Sequence, residues 1–138
     1  MNFLKVALPF FFIPFLLGGC FEVREEIDLN TDGSGRATYT LNMSESKANL
    51  ANYMRLGTVN GREVPTRQDL EEEIALLKRT LSACKGISEV RTYSDFEDFI
   101  FSFSARFDNI QNLNAALNKL VASTKQLSGS HTEFRNFA

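Results

Sequence analysis

The sequence predicts an α+β domain: an antiparallel sheet of two hairpins with helices on one face, in the order β-β-α-α-β-β-α. Three observations carry this. Apolar and polar residues alternate from Phe21 to Met43, broken once by a turn containing Asp32-Gly33. Leu70, Ile74, Leu77, Leu81 and Cys84 recur at steps of four and three. Phe99, Phe101, Phe103, Ala105 and Phe107 occupy every second position. Period two marks strands with one buried face, and steps of three and four mark an amphipathic helix.

The first hairpin begins with Phe21, Val23, Ile27 and Leu29 on one face and Glu22, Arg24, Glu26 and Asp28 on the other. Glu25 alone interrupts the apolar side. Asn30-Thr31-Asp32-Gly33-Ser34-Gly35 is dense in turn formers, and Asp-Gly is a strong hairpin signal. The return strand puts Ala37, Tyr39, Leu41 and Met43 on one face, with Arg36, Thr38, Thr40 and Asn42 on the other.

Ser44 is the expected cap of a short helix over 45–56, stopped by Gly57. Residues 58–65 form a loop whose Asn60-Gly61 predicts a turn or a small hairpin. Thr66 followed by Asp69 has capping-box spacing and opens the second helix. Glu71, Glu72 and Glu73 near its start and Lys78, Arg79 and Lys85 near its end suit the helix dipole. Gly86 is the expected left-handed stop. Cys84 lies on the apolar stripe and reads as a buried small hydrophobe.

Strands are expected over 87–93 and 98–107, with a turn over 94–97. Burying four Phe at roughly 1.5–3 kcal/mol each makes the second of these the centre of the core. Its other face, Ser102, Ser104 and Arg106, is small and polar. Asp108 or Asn109 caps a third helix through Ile110, Leu113, Leu117, Leu120 and Val121. The pattern fades from Ser123, so residues 126–138 read as a tail or a truncated final element, with Phe134 and Phe137 in a possible strand start at 132–138.

The N-terminus has a different anatomy. Lys5 stands before about a dozen apolar residues, from Val6 to Leu17, interrupted by Pro9 and Pro14. Roughly 20 residues are needed to span a bilayer as a helix, and proline breaks helices. Residues 1–19 therefore read as a secretory signal. Leu17-Gly18-Gly19-Cys20 resembles the lipobox of bacterial lipoproteins. That resemblance implies acylation at Cys20, as by palmitate, and cleavage just before it. The remaining chain is long enough for one domain with a real core, read over 20–125. Two or three acyl chains hold a protein firmly, each buried CH2 contributing roughly 0.8 kcal/mol. Phe21 is not the Asp that retains many such lipoproteins in the inner membrane, which implies an outer-membrane position in a two-membrane cell.

Five of the 13 Phe fall in the signal. The net charge is −2, and loss of Lys5 makes it more negative. No basic tract is present, so nucleic acid is not an expected partner. Asp28-Leu29-Asn30-Thr31-Asp32-Gly33 matches the first half of a calcium loop, but position twelve is Tyr39 where a bidentate Glu is needed. The stretch reads as a turn. His131 stands alone, without ligand-spaced partners. Glu71-Glu72-Glu73 reads as a solvated helix face. No nucleophile motif or phosphate loop occurs, so no catalytic residue, metal or cofactor is expected.

The lipobox, the hairpin from Ile27 to Gly35 and the strand Phe99-Ile100-Phe101-Ser102-Phe103 together resemble the small lipoproteins of Bacteroidetes-type bacteria. The chain is more distantly similar to the mycobacterial LppM-type lipoprotein domain. The first likeness implies an envelope lipoprotein with no catalytic residues. The second implies contact with lipid. The expectation is a membrane-anchored, non-enzymatic module whose free sheet face (Thr38, Thr40, Ser102, Ser104, Arg106) or tail meets an envelope partner. The alternative is a carrier or sensor of a lipid or other apolar ligand, held between sheet and helices in a closed apolar pocket near Phe101 and Phe103.

Overall fold

The computed structural model describes residues 21–133, with side chains placed through Thr124. The lipobox residues Leu17, Gly18, Gly19 and Cys20 lie outside the described residues, as does the tail from Phe134 onward.

Two hairpins form one antiparallel sheet, as the alternation predicts. Strand β1 (Glu22–Leu29) pairs with β2 (Gly35–Asn42), and β5 (Ile87–Asp95) pairs with β6 (Ile100–Phe107). β2 also pairs with β6, giving the order β1-β2-β6-β5. Between the hairpins lie a 3-10 turn (Ser44–Ser46), helix α1 (Lys47–Leu56), a small hairpin of β3 (Thr58–Val59) and β4 (Arg62–Glu63), and helix α2 (Arg67–Ser82). Helix α3 (Ile110–Glu133) follows β6.

Local chemistry accounts for the boundaries. Asp32 Oδ1 accepts from the Ser34 amide at 3.0 Å and from its hydroxyl at 2.7 Å, closing the first turn. Those bonds hold the Asp32 carboxyl below its ordinary pKa. Asn60 (φ 52°) and Gly61 (φ 74°) both have positive φ, the conformation a two-residue hairpin turn requires. Thr66 and Asp69 complete the capping box, with the Asp69 carboxylate 2.7 Å from the Thr66 amide. Asn109 Oδ1 accepts from the Asn112 amide at 2.9 Å and caps α3.

Several expectations need correction. Ser44 does not cap α1: it opens the 3-10 turn, and its amide donates to Asn42 Oδ1 at 3.0 Å. Phe99 is not in the strand. It sits at φ 54° in the turn before Ile100, although its ring is buried. Helix α2 ends at Ser82 with Ala83 as its cap, so Gly86 (φ 71°) is not its stop but lies in the turn that leads into β5. Cys84 lies just past α2 and is half-buried, its Sγ donating to the Thr80 carbonyl at 3.2 Å. Helix α3 runs through Thr132 to Glu133, beyond the point where its apolar pattern fades. Residues 123–133 contain one glycine and no proline, so the backbone continues helically without an apolar stripe to demand it.

The largest departure concerns β1. Its alternation predicts a buried face, but Phe21, Val23, Ile27 and Leu29 are 61%, 63%, 42% and 61% exposed. β1 is the edge of the sheet and packs on β2, whereas α2 and α3 pack over β5 and β6. Period two reports which residues share a face. It does not report whether a second layer reaches that face.

The core occupies one end of the sheet. Ala37, Ala105, Phe107, Leu81, Ile87, Val90, Leu113 and Ala116 form one buried cluster. Gly35 opposes Phe107 in the ladder, and Ala37 opposes Ala105. A Cβ on Gly35 would lie 2.7 Å from Phe107 Cζ and would collide with the Asp28 carbonyl. Small residues on β2 thus admit the ring.

Candidate functional site: an apolar groove

At the opposite end of the same sheet, the layers separate. Tyr39 opposes Phe103 and Leu41 opposes Phe101, all on the helix-facing side. Tyr39 stacks on Phe103 at 5.0 Å between ring centroids. Its hydroxyl donates to Glu25 Oε1 at 2.8 Å. Burial first, then that bond and the Glu25 charge, push the phenol up to about 12. The one charged residue on the apolar side of β1 is thereby engaged.

Beyond this stack lies a groove of about 1200 Å3, open to solvent and lined by Phe101 but not by Phe103, where a closed pocket near both is expected from the sequence. Its floor is Leu41, Met43, Phe99 and Phe101. One wall is the inner side of α2, with Leu70, Ile74 and Leu77, and the other is α1, with Leu50, Tyr53 and Met54. The β3–β4 hairpin closes one side through Val59, Val64 and Pro65, and Leu120 of α3 bounds the inner end. The volume exceeds the roughly 300–1,000 Å3 usual for small-molecule sites. The lining is apolar, with Asn60, Arg62, Glu63, Glu73 and Thr80 among its few polar members.

The groove explains the helix stripe. Of Leu70, Ile74, Leu77 and Leu81, only Leu81 is buried, and the other three are half-buried where they face the opening. Two ties hold the helices over it. Lys47 Nζ at the start of α1 lies 2.7 Å from Asp98 Oδ1 in the β5–β6 turn. That contact raises the Lys47 pKa, chiefly through the hydrogen bond to Asp98. Asp95 Oδ1 shapes this turn by accepting from the amides of Glu97 and Asp98, at 2.9 and 3.0 Å. Arg67 at the start of α2 lies 4.6 Å over the Phe96 ring, which meets Phe101 edge-on at 5.3 Å.

The opposite sheet face carries the residues expected to meet a partner. Thr38 opposes Ser104 and Thr40 opposes Ser102, forming a hydroxyl stripe. Arg36 opposes Arg106, a like-charge pair that is unfavourable by itself. A register shift between Ser88 and Arg91 places Glu89 at φ 49°. Glu89 then pairs with Arg36 and lies 3.9 Å from Arg106. Arg106 is therefore committed to an ion-pair cluster. Sequence alternation cannot show this, because the bulge moves Glu89 off the simple period.

Other candidates stay apart from the groove. Asp32 is spent on its own turn, and Tyr39, at the calcium-loop position twelve, is in β2 against Phe103. Glu71 is paired with Arg67 and Glu72 accepts from Gln68, on the solvent side of α2. His131 is in α3, where side chains are not described. Among the described residues, no group of three metal-binding side chains converges, and no helix is long and apolar enough to cross a membrane.

The chain matches no family model, no curated protein and no solved structure.

Proposed function

We propose that this protein is an envelope lipoprotein, acylated at Cys20, that holds an apolar chain such as an acyl tail in the groove between its sheet and helices. The observation that carries the ligand reading is the groove itself: about 1200 Å3, floored by Leu41, Met43 and Phe101 and walled by the stripes of α1 and α2. Protein interiors leave few voids larger than a water molecule. An apolar opening of this size, on residues patterned as core, fits an apolar occupant. Two methionines, Met43 and Met54, line it, and their flexible side chains suit occupants of varied shape. The anchor reading rests on the lipobox-like Leu17-Gly18-Gly19-Cys20.

The role is binding and holding, not catalysis. On α3, the Ser123 and Thr124 hydroxyls at the groove edge donate back to the Leu120 carbonyl, at 2.8 and 2.9 Å. Both bonds turn these hydroxyls toward helix backbone.

The test is native mass spectrometry of the full chain released from detergent, compared with its denatured mass. The expected result is a permanent modification lost in Cys20→Ser, plus an extra mass released on denaturation. Met54→Trp, which fills the groove, is expected to abolish the extra mass while keeping the fold. A bare protein carrying only the covalent modification overturns the ligand reading.

A further inference from the structure

We propose that the uncovered face of β1 is a membrane-contact surface, and that the groove takes its occupant through it directly from the bilayer. The proposal rests on the reading of Cys20 as the acylation site and of the groove as an acyl-chain site. Three observations point to lipid as what covers this face.

The first is position. Phe21, the residue after Cys20, directly precedes the ladder pair Glu22–Asn42. Leu41 and Met43, on either side of Asn42, line the groove. The start of β1 is therefore at the groove end of the sheet, and Cys20 is two residues before it in the sequence. Phe21 is the first described residue, and it is separated from that lining by about one strand spacing, ~5 Å.

The second is continuity. Val23 opposes Leu41, and Leu41 opposes Phe101. Directly opposed residues point to the same side of a sheet. The exposed side chains of Phe21 and Val23 thus extend the groove floor outward, and Ile27 and Leu29 resume the apolar strip beyond Glu25, whose carboxylate accepts from the Tyr39 hydroxyl at 2.8 Å.

The third is charge. The other face of β1 carries Glu22, Arg24, Glu26 and Asp28, and these turn to water when the apolar face lies on a bilayer. The same residues disfavour a second copy. Edge-to-edge pairing of two β1 strands would set mainly acidic rows against each other, and charge of this kind is how sheet edges resist pairing.

The experiment uses the full lipidated chain in a Cys84→Ala background, in phosphatidylcholine vesicles containing a bilayer-located quencher. A polarity-sensitive fluorophore is placed at Val23→Cys, Leu29→Cys, Arg24→Cys or Asp28→Cys in turn. All four sites are exposed, so the label does not disturb the core. The expected result is several-fold stronger quenching at 23 and 29 than at 24 and 28. Equal quenching at all four sites overturns the proposal. Shielding of 23 and 29 without bilayer quenching also overturns it and points to a second copy or another protein. The ligand reading is scored separately on the same preparations by the mass released on denaturation. Released mass without immersion of 23 and 29 defeats this proposal alone. Immersion without released mass supports the contact surface and defeats the groove reading together with the route. A protein that does not associate with vesicles defeats the proposal and the anchor beneath it.

Discussion

The two ends of the β2–β6 pair use the same sequence pattern for opposite purposes. At one end, Gly35 and Ala37 face Phe107 and Ala105, and helices α2 and α3 close the layer with Leu81, Leu113 and Ala116. At the other, Leu41 faces Phe101 and the helices stand off, leaving the groove. Both ends alternate, and both are rich in Phe and Leu. The packed end combines small with large residues, so layers interlock. The open end has large residues on every side and encloses space. Alternation selects the face, and the distribution of side-chain size decides whether that face is filled.

The contrast is broken most directly by truncating one Phe at each end. Phe107 is fully buried, so Phe107→Ala is expected to cost about 3–5 kcal/mol. Phe101→Ala, at the half-open end, is expected to cost about half as much or less. Urea unfolding at constant m-value measures both, and equal losses would mean the open end is packed in solution. Next in size is Gly86→Ala. Gly86 has φ 71°, and a Cβ there would lie 2.7 Å from Asn112 Cγ. The expected loss is about 1–3 kcal/mol, the usual range for overpacking. Gly57→Ala, with φ 72° but nothing within 4 Å of its Cβ, should cost less. The difference isolates the packing contribution from the backbone strain.

Occupancy sharpens the same comparison. A free fatty acid at about 100 times its Kd is expected to stabilise the protein by about 2.7 kcal/mol, since it binds only the folded state. Met54→Trp should remove that gain, and Phe107→Ala should keep it. Thermal melts with and without the additive decide this. The smallest effect concerns Tyr39, at the boundary between the ends. Its phenol is raised to about 12 in the folded protein, against about 10 unfolded. The folded state therefore holds this proton more tightly. The stabilisation is full below about pH 10 and is lost as pH rises toward about 12. Tyr39→Phe is expected to flatten stability across that window, as followed by urea titration at stepped pH.

Much of this architecture is legible in the residues, and the exceptions have physical causes. The turn at Asp32-Gly33, the capping box at Thr66, the left-handed stop at Gly57 and the cap at Asn109 are short-range chemistry, and each forms where its residues stand. The groove is legible only in part. Phe101 marks its place, but its walls depend on how far α1 and α2 stand from the sheet, set by ties such as Lys47–Asp98 and Arg67 over Phe96. These join residues far apart in the chain. The pairing of Arg36 with Glu89 is hidden for the same reason, and it adds a bulge that no period announces. Exposure of the apolar side of β1 follows from strand order, which alternation does not encode.

Glu25 gives the hairpin a consequence of its own. The β1 pattern of Val, Glu, Ile, Leu at alternate positions would sit almost as well against β2 if shifted by two residues, because the same side chains would keep the same face. Such a slip would take Glu25 from Tyr39 and set it opposite Ala37 or Leu41, where no phenol donates to it. The acid that interrupts an otherwise apolar strip thus acts as an index mark, and the strand settles in the one alignment that answers it.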